Sequence, residues 1–249
     1  MTARPAHLGG LRLAPLTTRQ AVQWIADRAQ QEQPCVVVTS NIHHLRLVED
    51  DRTFADVVSR AELNVADGWP LVTATRIASD VRVPERVAGV DLVERILAQE
   101  AVRLRVAILG GPPGAAAELA RRVRATHDVV FVDELPKGTW DTPQQLERLQ
   151  EALAAARPTL TLIGIGAPRQ ELLADALRPA LSGPVIGCGA AVEILAGFRP
   201  RAPKLVQAVR LEWGFRMLLE PRRLLPRYWV AGRAFVGVVV RQARSRRRA

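Results

Sequence analysis

The sequence predicts an α/β protein: a Rossmann-like parallel sheet core flanked by helices, with a basic helical appendage at its C-terminal end. Three observations carry that expectation. Short runs rich in Val, Ile and Leu alternate with stretches of helical periodicity. Several of these runs are apolar throughout, as strands buried on both faces are. Most end in glycine or a small polar residue just before a helix start, the punctuation of strand–turn–helix units.

Taken in order, the first 15 residues read as a leader followed by an edge strand from Leu11 to Leu13. Thr17-Thr18 caps a helix of good helix formers from Ala21 to Gln31, which Pro34 stops. Cys35 to Thr39 is a buried strand ended by Ser40-Asn41. Helices are expected from Ile42 to Val48 and around Phe54 to Arg60. Leu63 to Ala66 is a short strand ending in Asp67-Gly68-Trp69-Pro70, and Leu71 to Ala78 is helical. The segment from Glu85 to Asp91 leads into a helix from Leu92 to Gln99, with Asp91 as its N-cap.

A second run of α/β units starts at Leu104. It holds a strand from Val106 to Leu109, the turn Gly110-Gly111-Pro112-Pro113-Gly114, a helix from Ala115 to Ala125, and a strand from Val129 to Val132. Pro143 to Ala156 is a helix with a solvated face. Leu160 to Ile165 reads as a buried strand, punctuated by Gly164, Gly166 and Pro168, and polar Arg169-Gln170-Glu171 open a helix from Leu172 to Leu177. The last strand is Pro184 to Cys188, followed by Gly189, another helix, and a turn from Gly197 to Pro203. Beyond Lys204 two apolar-basic helices are expected, Leu205 to Leu219 and Val230 to Val240, broken at Glu220-Pro221. This divides the chain into a core of 1–203, with parts at about 11–100 and 101–203, and an appendage of 204–249.

Charge is unevenly spread. The chain holds 35 Lys/Arg and 25 Asp/Glu, a net +10. Residues 199–249 carry 14 of those bases and two of the acids, so 21 bases and 23 acids precede them. A near-neutral core with a cationic tail calls for an anionic partner: a membrane surface, a nucleic acid or a polyanionic substrate. The 48% hydrophobic content excludes a disordered chain. Cys35 and Cys188 each lie in a strand-like run, which suggests a reducing compartment and no disulfide framework. His43-His44 is the only close pair of the four histidines, so a Cys/His metal site has no support. No signal-peptide-like apolar run opens the chain, and no stretch reaches the roughly 18 apolar residues of a spanning helix. Aromatics interleaved with arginines in the tail suit helices lying in a membrane interface. A helical pair packed on the core with a basic end is the plainer reading of the same residues.

Two places carry candidate chemistry. The strand–glycine–helix passage through Gly164 and Gly166 is how α/β proteins build an anion pocket: glycines allow close approach, and the first helical turn offers N–H groups. Asp67, at a strand end in a glycine turn, is placed where a general base belongs. An ordinary βα connection and an Asp–Gly turn are the respective bland alternatives. A rival reading starts from Gly110: Asp133 lies 23 residues further on, the outline of a nicotinamide-dinucleotide fingerprint. The turn departs from G-x-G-x-x-G, and Pro112 and Pro113 remove N–H groups that a pyrophosphate would use. A basic nucleic-acid-binding protein is the other alternative; against it, the cations sit on a tail with few stacking aromatics.

The ordered set Thr39-Ser40-Asn41, Ala66-Asp67-Gly68, Arg86-Val87-Ala88-Gly89, Leu109-Gly110-Gly111, Gly164 through Glu171, Gly187 through Ala190, Ala196-Gly197, Arg201-Ala202-Pro203, Leu211-Glu212-Trp213 with Arg216, and Glu220-Pro221 with Arg227-Tyr228 resembles the WecG/TagA/CpsF family of bacterial glycosyltransferases. It covers the chain from about Leu11 to Phe235. The resemblance implies inverting, metal-independent transfer of a sugar, often of N-acetylmannosamine type, from a UDP-sugar to a polyprenyl-diphosphate-linked saccharide. It implies Asp67 as the base, with the part at 11–100 serving the acceptor and that at 101–203 the nucleotide. It also implies a C-terminal appendage completing the site at the membrane, self-association, and a cytoplasmic place on the inner face of the plasma membrane.

The expected roles follow. Thr39 and Asn41 position sugars, and Gln170 bonds the donor or its uracil. The turns at Gly110, Gly111, Gly164, Gly166 and Gly189, with Glu171, line the donor. Arg86, Arg201, Arg216, Arg222 and Arg227 supply cations to the diphosphate, whose charge needs such partners where no Asp-x-Asp is present. No cofactor is expected. Arg169 stands where lysine is common in the family.

Overall fold

A small hairpin lies ahead of the first helix, and its second strand is the one expected at Leu11 to Leu13. β1 (Ala6–Leu8) pairs antiparallel with β2 (Leu11–Leu13), and both strands bury alternate residues. The computed structural model describes residues 4–99, 102–136, 138, 140–203, 205, 206, 212–219 and 221–246. Gly9 turns the hairpin at φ +55°, where a Cβ would stand 3.0 Å from both Leu45 and Val238.

Helix α1 (Thr18–Gln30) starts in a reciprocal capping box between Thr17 and Gln20. Strand β3 (Cys35–Ser40) is buried along its whole length. Helices α2 (Ile42–Asp50) and α3 (Arg52–Arg60) follow, capped by Asn41 and Asp51. Then come β4 (Leu63–Ala66), α4 (Trp69–Ala78) and α5 (Gly89–Leu97). The second run comprises β5 (Arg105–Leu109), α6 (Ala115–Val123), β6 (Asp128–Asp133), α7 (Pro143–Ala156) and β7 (Leu160–Ile163). It closes with α8 (Arg169–Ala176), a 3₁₀ turn (Arg178–Ala180), β8 (Pro184–Gly187) and α9 (Ala191–Leu195). Helices α10 (Glu212–Leu219) and α11 (Pro221–Arg246) end the described chain.

Six strands form one parallel sheet in the order β4-β3-β8-β7-β5-β6. The last strand made, β8, sits in the middle, hydrogen-bonded to β3 on one side and β7 on the other. Both expected parts of the core, 11–100 and 101–203, therefore share a single sheet. Alternation sorts the strand side chains. Val37, Val65, Ile108, Leu162 and Ile186 face a layer of α1, α5, α6 and α9. Val36, Val38, Leu109, Ile163 and Val185 face α7 and α8. Burial on both faces explains why these strands read as continuous apolar runs.

A third apolar cluster gathers the hairpin, α2, α3 and α4, and it includes Val238 of α11, with Phe235 and Val239 packed against it. The C-terminal helix is bound there by polar contacts as well. Gln242 accepts from Gly9 N at 2.9 Å and donates to His7 O at 2.8 Å. Arg241 pairs with Glu49 and Arg246 with Asp80. The expected appendage thus returns to the core through its second half. Among the described residues, no helix is long and apolar enough to cross a membrane.

The starts of α5 and α11 both come earlier than the sequence reading expects. α5 starts at Gly89 with Ala88 as N-cap, because Asp67 Oδ2, from another strand, accepts the Gly89 N–H. Asp91, expected as the cap, lies in the first turn and turns instead to arginines. Pro226 lies inside α11 without ending it.

Candidate active site

In a parallel sheet the carboxyl ends of all strands open on one edge, and here they bring the candidate residues together. β3 delivers Thr39, Ser40 and Asn41, β4 delivers Asp67, β5 Gly110 and Gly111, β7 Gly164 to Gly166, and β8 Gly187 to Gly189.

Asp67 is half-buried at the outer end of this edge. Its own N–H donates to Ser40 O at 2.6 Å, which ties the two turns, and its Oδ2 accepts from Gly89 N at 3.3 Å. That N–H belongs to the first turn of α5, so the carboxylate sits at the positive end of the helix. A Cβ at Gly89 would lie 3.3 Å from Thr39 Oγ1 and 3.5 Å from Cys188 O, so glycine there lets α5 abut β3 and β8. Asn41 caps α2 by accepting from His43 N at 2.9 Å. Thr39, 4% exposed, donates its hydroxyl to Gly187 O at 2.9 Å.

The glycine turns serve packing as much as access. A Cβ on Gly164 would meet Val192 Cγ2 at 2.6 Å and Gly189 O at 3.1 Å. One on Gly110 would collide with Ile165. The backbones of the β5, β7 and β8 turns therefore interlock, which only glycine permits.

Gln170 and Glu171 open α8 but point inward, at 2% and 0% exposure. Gln170 Oε1 accepts from Gly166 N at 3.1 Å and from Gly189 N at 2.9 Å, while its Nε2 donates to Glu171 Oε1 at 2.7 Å. Gln170, expected to contact the donor, thus braces two of the turns expected to cradle it. Those two N–H groups donate to Gln170 in this structure.

The arginines divide. Arg201 makes bonds to Asp91 and Glu94, the latter at 2.9 Å, and Arg86 lies 3.7 Å from Asp91. Both pair with acids of α5, the helix whose first N–H reaches Asp67. Arg222 is exposed on α11. The side chains of Arg216 and Arg227 lie outside the described residues. Arg169, at the start of α8, stands 5.2 Å over the Trp140 ring and 3.8 Å from Asp141.

Cys188, at the end of β8, is no nucleophile: burial pushes its thiol up to about 12, and it donates to Ile163 O at 3.4 Å. Among the described residues, no group of three or more His, Cys, Asp or Glu is placed to hold a metal ion. The acids after β6 are turned to local backbone, Asp133 Oδ1 accepting from Leu135 N and Glu134 Oε1 from Gly114 N.

Sequence reasoning passed over two residues. His44 is 2% exposed and reaches Glu171 with Nε2 at 3.0 Å; its signal was its place three residues after a helix-capping asparagine. Trp140 falls in a loop with no periodicity to mark it.

A Rossmann-like sheet that gathers a carboxylate and glycine turns at its carboxyl edge has the layout of a ligand-binding α/β protein. The family model described as the glycosyl transferase WecG/TagA/CpsF family matches residues 6–249, and the chain belongs to that family. It is a glycosyltransferase of polysaccharide synthesis.

Proposed function

We propose that the protein is an inverting, metal-independent glycosyltransferase. In this reading it moves an N-acetylmannosamine-like or related hexose from a UDP-sugar to a polyprenyl-diphosphate-linked saccharide. The observation that carries the proposal is Asp67, which shares one edge with the glycine turns and receives the Gly89 N–H. Asp67 takes the proton of an acceptor hydroxyl. That oxygen bonds to the anomeric carbon from the face opposite UDP, and the bond to UDP breaks with its electron pair on the diphosphate. A positioned base of this kind contributes roughly 10²–10⁴-fold. Thr39 and Asn41 shape the sugar side, and Arg86 with Arg201 lends positive charge at α5. Arg216, Arg222 and Arg227, on the C-terminal segment, are the further cations this reading assigns to the diphosphate.

The acceptor is a lipid, so the same reading puts residues 204–249 against an anionic membrane, on its cytoplasmic face. Supporting this, α10 and α11 expose Leu218 at 82% and Trp229 at 71% beside Arg222 and Arg233. Each cation near an anionic surface contributes about 1 kcal/mol. Self-association belongs to the same reading, tested by sedimentation equilibrium.

The deciding experiment is release of UDP from a panel of UDP-sugars by the full chain with a lipid-diphosphate saccharide. Release that persists in EDTA, with inverted anomeric configuration in the product, supports the reading. Strict dependence on magnesium or manganese ends the metal-independent part of it.

A further inference from the structure

A buried polar chain runs beneath the site and links its two sides. Asn41 N, an obligate donor, lies 3.3 Å from His44 Nδ1, so this nitrogen accepts and the proton resides on Nε2. Nε2 then donates to Glu171 Oε1, which also accepts from Gln170 Nε2 at 2.7 Å. With its amide nitrogen committed to the carboxylate, Gln170 must turn its oxygen to Gly166 N and Gly189 N. Each orientation follows from the one before it.

The chain is costly. Glu171 is fully buried, and its Oε2 has no hydrogen-bond partner among the described residues. A buried carboxylate with one oxygen unsatisfied is a net loss for folding, and a well-packed apolar side chain of similar size would be as stable or more so. Retaining such a group beneath the site therefore fits a role in setting geometry.

We infer that His44 is a positioning residue for the transfer proposed above, on which this inference rests. Acting through Glu171, it fixes which way Gln170 faces, and so holds the Gly166 and Gly189 turns in register with the Asn41 turn. Donor-side and acceptor-side elements are thereby set against each other by one side chain that touches neither ligand. Small misplacements of reacting groups cost about 100-fold in rate, so the relay bears on kcat more than on ground-state binding.

Two substitutions split the imidazole's functions. His44→Gln keeps a donor at the reach of Nε2; His44→Asn keeps an acceptor near Nδ1 and loses the reach to Glu171. In the full chain, the expected result is that His44→Asn lowers kcat about 100-fold with KM changed less, and shifts the Gly166 and Gly189 amide resonances. His44→Gln restores both. Equal losses from both variants, or a lowered melting temperature in His44→Asn with kcat and both glycine resonances unchanged, would make His44 a core residue only. Should His44→Asn fail to fold, the wild-type ring decides by nitrogen NMR: an Nε2–H tautomer supports the relay, and an Nδ1–H tautomer overturns it. Absence of transfer by the wild-type chain would reject the proposed reaction, while the tautomer and glycine resonances still judge the relay.

Discussion

The carboxyl edge of the sheet has two unlike ends. Around β3 and β4 it is made of side chains: Asn41 and half-buried Asp67 stand on turns with room beside them, and a Cβ at Gly68 would still clear Asn41 by 3.9 Å. Around β5, β7 and β8 it is made of backbone, with Gly110 and Gly164 pressed against neighbouring turns. The first end can change its chemistry without changing its fold. At the second, shape and binding are the same property, because the residue that would alter one displaces the other.

The hardest test of that contrast is Asp67→Asn. Turnover is expected to fall at least 100-fold, with the melting temperature and UDP affinity by calorimetry close to wild type. A large loss of stability would mean that the carboxylate holds the fold, and normal turnover would remove it from the mechanism. Next in size is Val238→Asp, which places a charge at a position 3% exposed in the cluster built on α2 and α4. Those helices start immediately after Asn41 and Gly68, so the substitution should cost about 2–5 kcal/mol by urea unfolding and disturb the acidic end first. Hydrogen exchange that opened the β5–β7 turns before α2 and α4 would contradict this. Gly164→Ala comes third, at roughly 1–3 kcal/mol of stability, with UDP affinity falling alongside because Val192 and the Gly189 carbonyl must shift. Affinity lost without stability would show a backbone looser than described.

A last test is alkaline and, near neutral pH, silent. Burial raises Cys35 and Cys188 from 9.0 to about 12. Above pH 9 the unfolded chain gives up thiol protons that the folded chain keeps, so stability is intact below pH 9 and declines as pH rises toward 12. Cys188→Ala should flatten that decline in urea midpoints, and both thiols should resist alkylation at pH 8 in the folded chain.

Much of the backbone end was legible in the sequence, because strand burial and glycine punctuation are local signals. The helix expected from Pro143 to Ala156 has those bounds in the structure, where Pro143 takes its first turn. The side-chain end was legible only as positions. That α5 begins at Gly89, with Ala88 rather than Asp91 as its N-cap, depends on a carboxylate 22 residues upstream. That Gln170 faces inward depends on Glu171 and on His44, 127 residues before Glu171. Long-range partners leave no periodicity behind. Of the opening hairpin, Leu11–Leu13 is legible as a strand and Ala6–Leu8 is not: three residues carry little alternation, and the pairing draws its meaning from Leu45 and Val238 packing on the turn.

The central seat of β8 has a consequence for how the molecule is made. During synthesis the ribosome releases β4-β3 and β5-β6 well before Pro184–Gly187 emerges, and β7 shortly before it. Until then each half presents an unpaired strand edge, the kind of template that recruits other chains. The nascent polypeptide is thus most exposed to misassembly late in translation, and a chaperone that shields strand edges would be needed most at that moment.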